Sequence, residues 1–167
     1  MKPRPFSDME CSIARTLDHV GSWWSLLIIR DAMMGARRFK HFERSLGISK
    51  NTLTARLAQL IETGILAKVA APNGSAFDEY ALTERGRELA PVMIALAQWG
   101  DRWVPHEQGS STEIVDLRTG QPLQPVWPRG EDGATMSLDE LGMRRAARRP
   151  PLAWDDDEGP DGRDDEA

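Results

Sequence analysis

Residues 47–64 read G-I-S-K-N-T-L-T-A-R-L-A-Q-L-I-E-T-G, from Gly47 to Gly64. Gly47 permits a sharp change of direction, because it lacks a Cβ. Ile48 can plug the turn, and Ser49 is a residue type whose hydroxyl caps a helix N-terminus. Leu53, Leu57, Leu60 and Ile61 then recur at i, i+4, i+7 and i+8, which is the period of one buried helix face. Gly64 supplies a left-handed end to that helix. On a wheel at about 100° per residue, the four apolar residues fall within one quadrant. Asn51, Ala55, Ala58, Gln59 and Glu62 lie roughly opposite, Thr52 and Arg56 flank them, and Lys50 sits at the N-terminal end.

Working outward, Phe39 to Leu46 is a short helix with Phe39, Phe42 and Leu46 spaced for burial. Two helices joined by Gly47-Ile48-Ser49 make a helix-turn-helix pair. Upstream, residues 11–20 read as a helix with Ile13, Leu17 and Val20 on one side. Residues 22–34, SWWSLLIIRDAMM, are apolar nearly all round and belong at a domain centre. Downstream, residues 65–71 are strand-like, Pro72-Asn73-Gly74-Ser75 is a hairpin turn signal, and Phe77 to Leu82 is the return strand. Thr83 then caps a long helix running to Trp103, striped by Leu89, Val92, Met93, Leu96, Trp99 and Trp103. Pro91 inside it predicts a kink or a late start. The fold class is mainly α with a small β-hairpin wing.

The chemistry of the outer face points to double-stranded DNA. A major groove about 12 Å wide admits one helix, and a helix-turn-helix presents its second helix there. Asn and Gln suit adenine edges, Arg suits guanine, and a helix N-terminus suits phosphate. Arg37, Arg38, Lys40 and Arg44 form a basic cluster on one side of the pair. Lys68 and Asn73 in the wing flank the other side. The candidate DNA-facing set is Arg37, Arg38, Lys40, Ser49, Lys50, Asn51, Thr52, Arg56, Gln59, Lys68 and Asn73.

The formal net charge of −5 on 167 residues looks wrong for such a partner, but the charge is uneven. Residues 1–105 hold 14 Lys and Arg against 11 Asp and Glu, a net +3, whereas residues 106–167 hold 7 against 15, a net −8. The front of the chain is the part that suits a phosphate surface. One cysteine, Cys11, excludes an intrachain disulfide, which fits a reducing cytoplasm. No run is long and apolar enough for a membrane span, and MKPRPFSDME lacks the apolar core of a signal peptide. His19, His41 and His106 are too scattered for a metal site. No nucleophile-elbow, phosphate-loop or HExxH pattern is present, so neither an enzyme nor a cofactor is expected.

The organisation expected is a flexible arm at 1–8, a DNA-binding and dimerisation domain at 9–106, an extension at 107–154 and an acidic disordered tail at 155–167. Within the extension, residues 113–127 suggest a hairpin about Thr119-Gly120. Ser137 and Glu140 form a capping-box pattern before a short helix.

Several ordered motifs also carry a family resemblance: C-S-I-A-R-T-L-D-H-V-G-S-W-W-S-L-L-I-I-R-D-A from Cys11, G-A-R-R-F from Gly35, G-I-S-K-N-T-L-T-A-R-L from Gly47, E-Y-A-L-T-E-R-G from Glu79 and Q-W-G-D-R-W from Gln98. Over residues 8–105 the chain resembles the HxlR-type winged helix-turn-helix regulators. It departs from many of them in having Cys11-Ser12 in place of Cys-Pro. The resemblance implies a homodimeric transcription regulator, more often a repressor, on inverted-repeat operator DNA. It also implies a dimer built from the first and last helices, with Ile13, Leu17, Leu96, Trp99 and Trp103 at the interface. The matching position in several relatives makes Cys11 a redox-sensing candidate, and a thiol at a helix N-terminus is physically suited to that. The alternative is a small buried hydrophobe. A small-molecule effector between the helices and a protein-interaction module without DNA reading are the remaining expectations to be weighed.

Overall fold

The computed structural model describes residues 9–71, 77–107, 109 and 112–142. Their elements run α1 (Ser12–Val20), α2 (Trp23–Met33), α3 (Phe39–Leu46), α4 (Lys50–Glu62), β1 (Leu66–Val69), β2 (Glu79–Leu82), α5 (Glu84–Arg87) and α6 (Ala90–Trp103). Chain contacts divide the molecule into two units, Met1–Val126 and Trp127–Ala167. The first is a winged helix: mostly helical, with one two-stranded antiparallel hairpin.

The expected apolar spacings become the core. Ile28 and Ile29 of α2, Phe42 of α3, and Leu53, Leu57 and Leu60 of α4 are all fully buried, together with Leu66 at the start of β1. Burying each such side chain contributes about 1.5–3 kcal/mol. Three glycines end or turn their segments with positive φ, at Gly35, Gly47 and Gly64. The hairpin pairs Leu66 with Leu82, Ala67 with Ala81, Lys68 with Tyr80 and Val69 with Glu79.

Three expectations need correction. The helix expected from Thr83 to Trp103 is two helices, broken at Glu88-Leu89. Pro91 lies in the first turn of α6, where its missing N–H costs nothing and its ring has no preceding turn to strike. The return strand begins at Glu79 rather than Phe77, which is exposed. Trp23, in the segment expected to be central, is 78% exposed. It is the first residue of α2 and lies outside the buried patch, which starts at Ser25.

After α6 the first unit closes with a small hairpin. Val115 bridges Pro122, and the turn between them is held by Gly120 N–H donating to the Asp116 carbonyl at 2.7 Å. Gln98 of α6 fixes this segment from both ends of its amide. Its Nε2 donates to the Gln124 carbonyl at 3.1 Å, and its Oε1 accepts from Val126 N–H at 2.8 Å.

In the second unit, residues 128–136 fold back through a bridge between Arg129 and Thr135. Ser137 and Glu140 do meet, with Ser137 N–H and Oγ both donating to Glu140 Oε2 at 2.7 and 3.0 Å. The cap nucleates one 3-10 turn, Leu138–Glu140, and Leu141 is already extended. The expected helix is therefore absent through Gly142. The N-terminal arm, Asn73, the remainder of that helix and the acidic tail lie outside the described residues.

Candidate nucleic-acid interface

The second helix of the pair, α4, is set up by its own N-terminus. Gly47 takes a left-handed conformation with φ 62°, and Ser49 is extended as the N-cap. Ser49 Oγ accepts the Thr52 N–H at 3.2 Å and lies 2.9 Å from Thr52 Oγ1. The cap leaves Lys50 and Asn51 exposed at the start of the helix, followed by exposed Thr54, Ala55 and Ala58. Short side chains along this face let a large surface approach closely.

The wing is locked to the helix pair. Tyr80 N–H donates to the Arg37 carbonyl at 2.7 Å, so the segment before α3 runs alongside β2. The Tyr80 ring meets Phe42 edge-on at 6.1 Å. Arg38 Nε donates to Glu79 Oε1 at 3.2 Å. At the other end of the wing, Thr83 Oγ1 donates to the Gly64 carbonyl at 2.6 Å and accepts Gly86 N–H at 3.1 Å. The end of α4, the end of β2 and the start of α5 thus share one hydroxyl.

Around α4, Arg37, Lys40, Arg44, Lys50 and Lys68 are exposed. Lys50 Nζ is 3.9 Å from Glu43 Oε1 across the turn, an exposed pair worth little in stability and easily exchanged for another anion. The result is a cationic rim around a helix face of small and amide-bearing residues.

The structure separates the expected DNA-facing residues into two groups. Lys50 and Asn51 stand open on α4, with Arg37, Lys40 and Lys68 open beside it. Ser49 and Thr52 are engaged with each other in the cap, and Arg38 is tied to Glu79. Gln59 is not outward as the wheel places it. It is half-buried, and its Nε2 lies 3.4 Å from the Asp18 carbonyl of α1. Arg56 is half-buried on the same flank, with Nη1 2.7 Å from Gln59 Oε1 and a buried, unpartnered Nε. The docking of α1 covers this flank, and a wheel of one helix carries no information about that. Thr54, which the sequence reading passed over, is exposed on the open side of α4 and was recoverable from the same wheel.

A second surface is apolar. Ile13 and Leu17 of α1 are 72% and 47% exposed, and Leu96, Trp99 and Trp103 of α6 are 49%, 61% and 63% exposed. Cys11, the N-cap of α1, is exposed at the edge of its helix, not buried. Among the described residues no group of three or more His, Cys, Asp and Glu could hold a metal ion. No helix among them is long and apolar enough to cross a membrane.

The HxlR-like helix-turn-helix family profile matches residues 19–108, which span α2 to α6 and include the whole cationic face. The chain belongs to the HxlR-like helix-turn-helix family. It is 39% identical over 114 residues to an uncharacterized HTH-type transcriptional regulator of Mycobacterium tuberculosis, covering 68% of this chain and 72% of that protein. Among solved structures it is similar to PA1607, described as a candidate transcription factor, with a TM-score of 0.78 and 38% identity over 84% of this chain and 98% of that one. It is also similar to the oxidized form of the redox regulator HypR, with a TM-score of 0.50 and 32% identity over 54% of this chain and 94% of that one. As an HxlR-like protein, this chain is a helix-turn-helix regulator of transcription. The stripe of motifs from Cys11 to Trp103 had identified the same family.

Proposed function

We propose that this HxlR-like chain is a sequence-specific repressor that binds inverted-repeat operator DNA as a homodimer, with α4 in the major groove. The observation that carries the reading is the capped N-terminus of α4. Lys50, Asn51 and Thr54 stand exposed there beside a rim of Arg37, Lys40, Arg44 and Lys68. In this reading the rim holds phosphates and fixes register, while Asn51 and Thr54 meet base edges. Arg38 and Arg56 join once DNA offers a better partner than Glu79 and Gln59. Ser49 and Thr52 act through the cap, presenting the helix end to a phosphate. Gln59 buttresses Arg56, and Asn73 belongs to the wing tip that would follow the backbone.

A homodimer follows from the exposed stripe on α1 and α6. Two tryptophans and a leucine on one helix face are a large apolar area to leave in water, and such patches mark interaction sites. A two-fold dimer would present two copies of α4 to successive half-sites of a palindrome.

Response to oxidants through Cys11 is part of the same proposal. Its support is the exposure of Cys11 at the first turn of α1, two residues from the interface candidate Ile13, and the similarity to a redox regulator. A thiolate there would attack a disulfide or an electrophile, and the adduct would sit at the dimer seam. If Cys11→Ser leaves the diamide response of DNA binding unchanged, thiol sensing is excluded.

The deciding experiment is selection of genomic fragments by the purified protein, followed by anisotropy titrations over a range of salt. An operator containing an inverted repeat should emerge. The logarithm of its affinity should fall with the logarithm of salt by about 0.9 per phosphate neutralised. Binding no sequence better than bulk DNA would overturn the reading.

A further inference from the structure

A cleft of about 430 Å³ opens between the end of α2, strand β2 and the start of α6. Its volume falls in the range of small-molecule sites, about 300–1,000 Å³. Met33, Leu82 and Ala90 give it apolar walls, Tyr80 contributes an aromatic side chain, and two arginines, Arg37 and Arg87, line it as well. Among the described residues neither guanidinium is held by an ion pair. The acid on the neighbouring strand position, Glu79, is engaged by Arg38 at 3.2 Å and does not neutralise them. Two permanently charged forks beside an apolar surface are the pairing that recognises an anion with a hydrocarbon body.

We propose that this cleft binds a small carboxylic acid with a compact apolar body, and that binding lowers affinity for DNA. The carboxylate takes bidentate hydrogen bonds from Arg37 and Arg87, and the body lies against Met33, Leu82 and Ala90. A bare inorganic anion gains the charge pairing but leaves the apolar walls uncovered. A neutral isostere covers the walls but leaves both guanidiniums without a counter-charge.

The consequence for DNA follows from the position of Arg37. It stands just before α3, and its carbonyl accepts the Tyr80 N–H at 2.7 Å. A carboxylate held there neutralises a cation of the phosphate-facing rim and bears on the joint between wing and helix pair. This second half of the proposal rests on the DNA-binding reading above. The first half does not.

Calorimetric titration of the full chain with 2-naphthoate, 2-naphthamide and inorganic phosphate tests the site without DNA. Saturable binding of naphthoate is expected, with naphthamide and phosphate each at least about tenfold weaker, the loss typical of a missing charged hydrogen-bond partner. Arg87→Ala should weaken naphthoate by a similar factor, and Arg87→Lys by less, because the charge remains while the fork is lost. Unchanged melting of both variants would show that the loss is local. No binding of naphthoate, equal binding of naphthamide, or undiminished binding by Arg87→Ala each overturns the site.

With operator DNA present, saturating naphthoate should weaken binding by the wild type and leave Arg87→Ala unaffected. Naphthoate binding with no effect on DNA affinity overturns the coupling alone. A protein that binds naphthoate but no operator leaves the cleft standing and removes the proposed function.

Discussion

Arg56 Nη1 lies 2.7 Å from Gln59 Oε1, so the arginine expected to face DNA is held one turn along its own helix. Gln59 continues the chain of contacts to the Asp18 carbonyl of α1, which links the groove-facing helix to the helix proposed for dimerisation. The two side chains should therefore separate by experiment. Arg56→Ala should narrow the preference for operator over bulk DNA by about 1–3 kcal/mol, the worth of one bidentate base contact. Gln59→Ala should cost about 1 kcal/mol in urea unfolding and leave non-specific DNA binding unchanged. Equal operator preference before and after Arg56→Ala would confine that residue to a structural role.

The cap of α4 offers a measure of how far the helix end matters. Ser49 Oγ accepts the Thr52 N–H and also meets the Thr52 hydroxyl. Ser49→Ala should destabilise the domain by about 1 kcal/mol, and Ser49→Asp should recover most of that, since Asp caps as well and suits the positive helix end. On DNA the order should reverse for Asp, whose charge meets the phosphate. Thermal melting and anisotropy on the same three proteins check both halves. A Ser49→Asp protein that binds DNA as well as wild type would remove the phosphate from that helix end.

Gly86 has no room for a side chain. A Cβ built there would stand 2.3 Å from the Ile65 carbonyl oxygen and 2.9 Å from Leu82 Cδ2. Backbone on one side cannot yield without breaking the junction where Thr83 binds Gly64. Gly86→Ala should cost about 1–3 kcal/mol or more, read as a lowered denaturant midpoint. A melting temperature equal to wild type would mean that the junction between β1 and α5 is looser than its geometry indicates.

The extension hairpin carries a pH signature. Hydrogen bonds from the Arg118 side chain, and then from its backbone N–H, hold the Asp116 carboxyl below its ordinary pKa. A depressed carboxylate contributes stability that is present above its unfolded pKa and is lost as pH falls through its lower folded value. The turn should therefore stay closed at neutral pH and open only in acid, below the usual carboxylate range. The Arg118 amide resonance followed over pH should move in that window in wild type and stay flat in Asp116→Asn. A midpoint at or above the ordinary carboxylate pKa would contradict the contact.

These residues also show how far sequence could reach. Spacing and caps are local, so Gly47, Ser49, the leucines of α4 and Gly64 declared the helix-turn-helix without any knowledge of neighbours. The family motifs declared the rest of the winged helix. What stayed hidden depends on which element docks where. Gln59 is outward on a wheel until α1 covers its flank. Arg38 is one basic residue among several until β2 brings Glu79 to it. Ser137 and Glu140 form their box, yet a box adds too little to propagate a helix that has no apolar face to bury.

Gly100 lies on the exposed side of α6, in helical register with Leu96, Trp99 and Trp103, and a Cβ built there meets nothing within 4 Å. In an isolated chain Gly100→Ala should stabilise by about 0.5–1 kcal/mol, because alanine loses less backbone freedom in a helix. In the proposed dimer the same Cβ enters the seam between two apolar stripes. There it should weaken association by about 1–3 kcal/mol, as overpacking does, which is about tenfold or more in dissociation constant. The two effects have opposite sign, so concentration separates them. Sedimentation at micromolar and nanomolar protein should show Gly100→Ala dissociating earlier, while its helix content melts later once dissociated. A variant that gains stability at every concentration with its association unchanged would place the dimer contact away from Gly100, and so move the seam off the centre of the stripe.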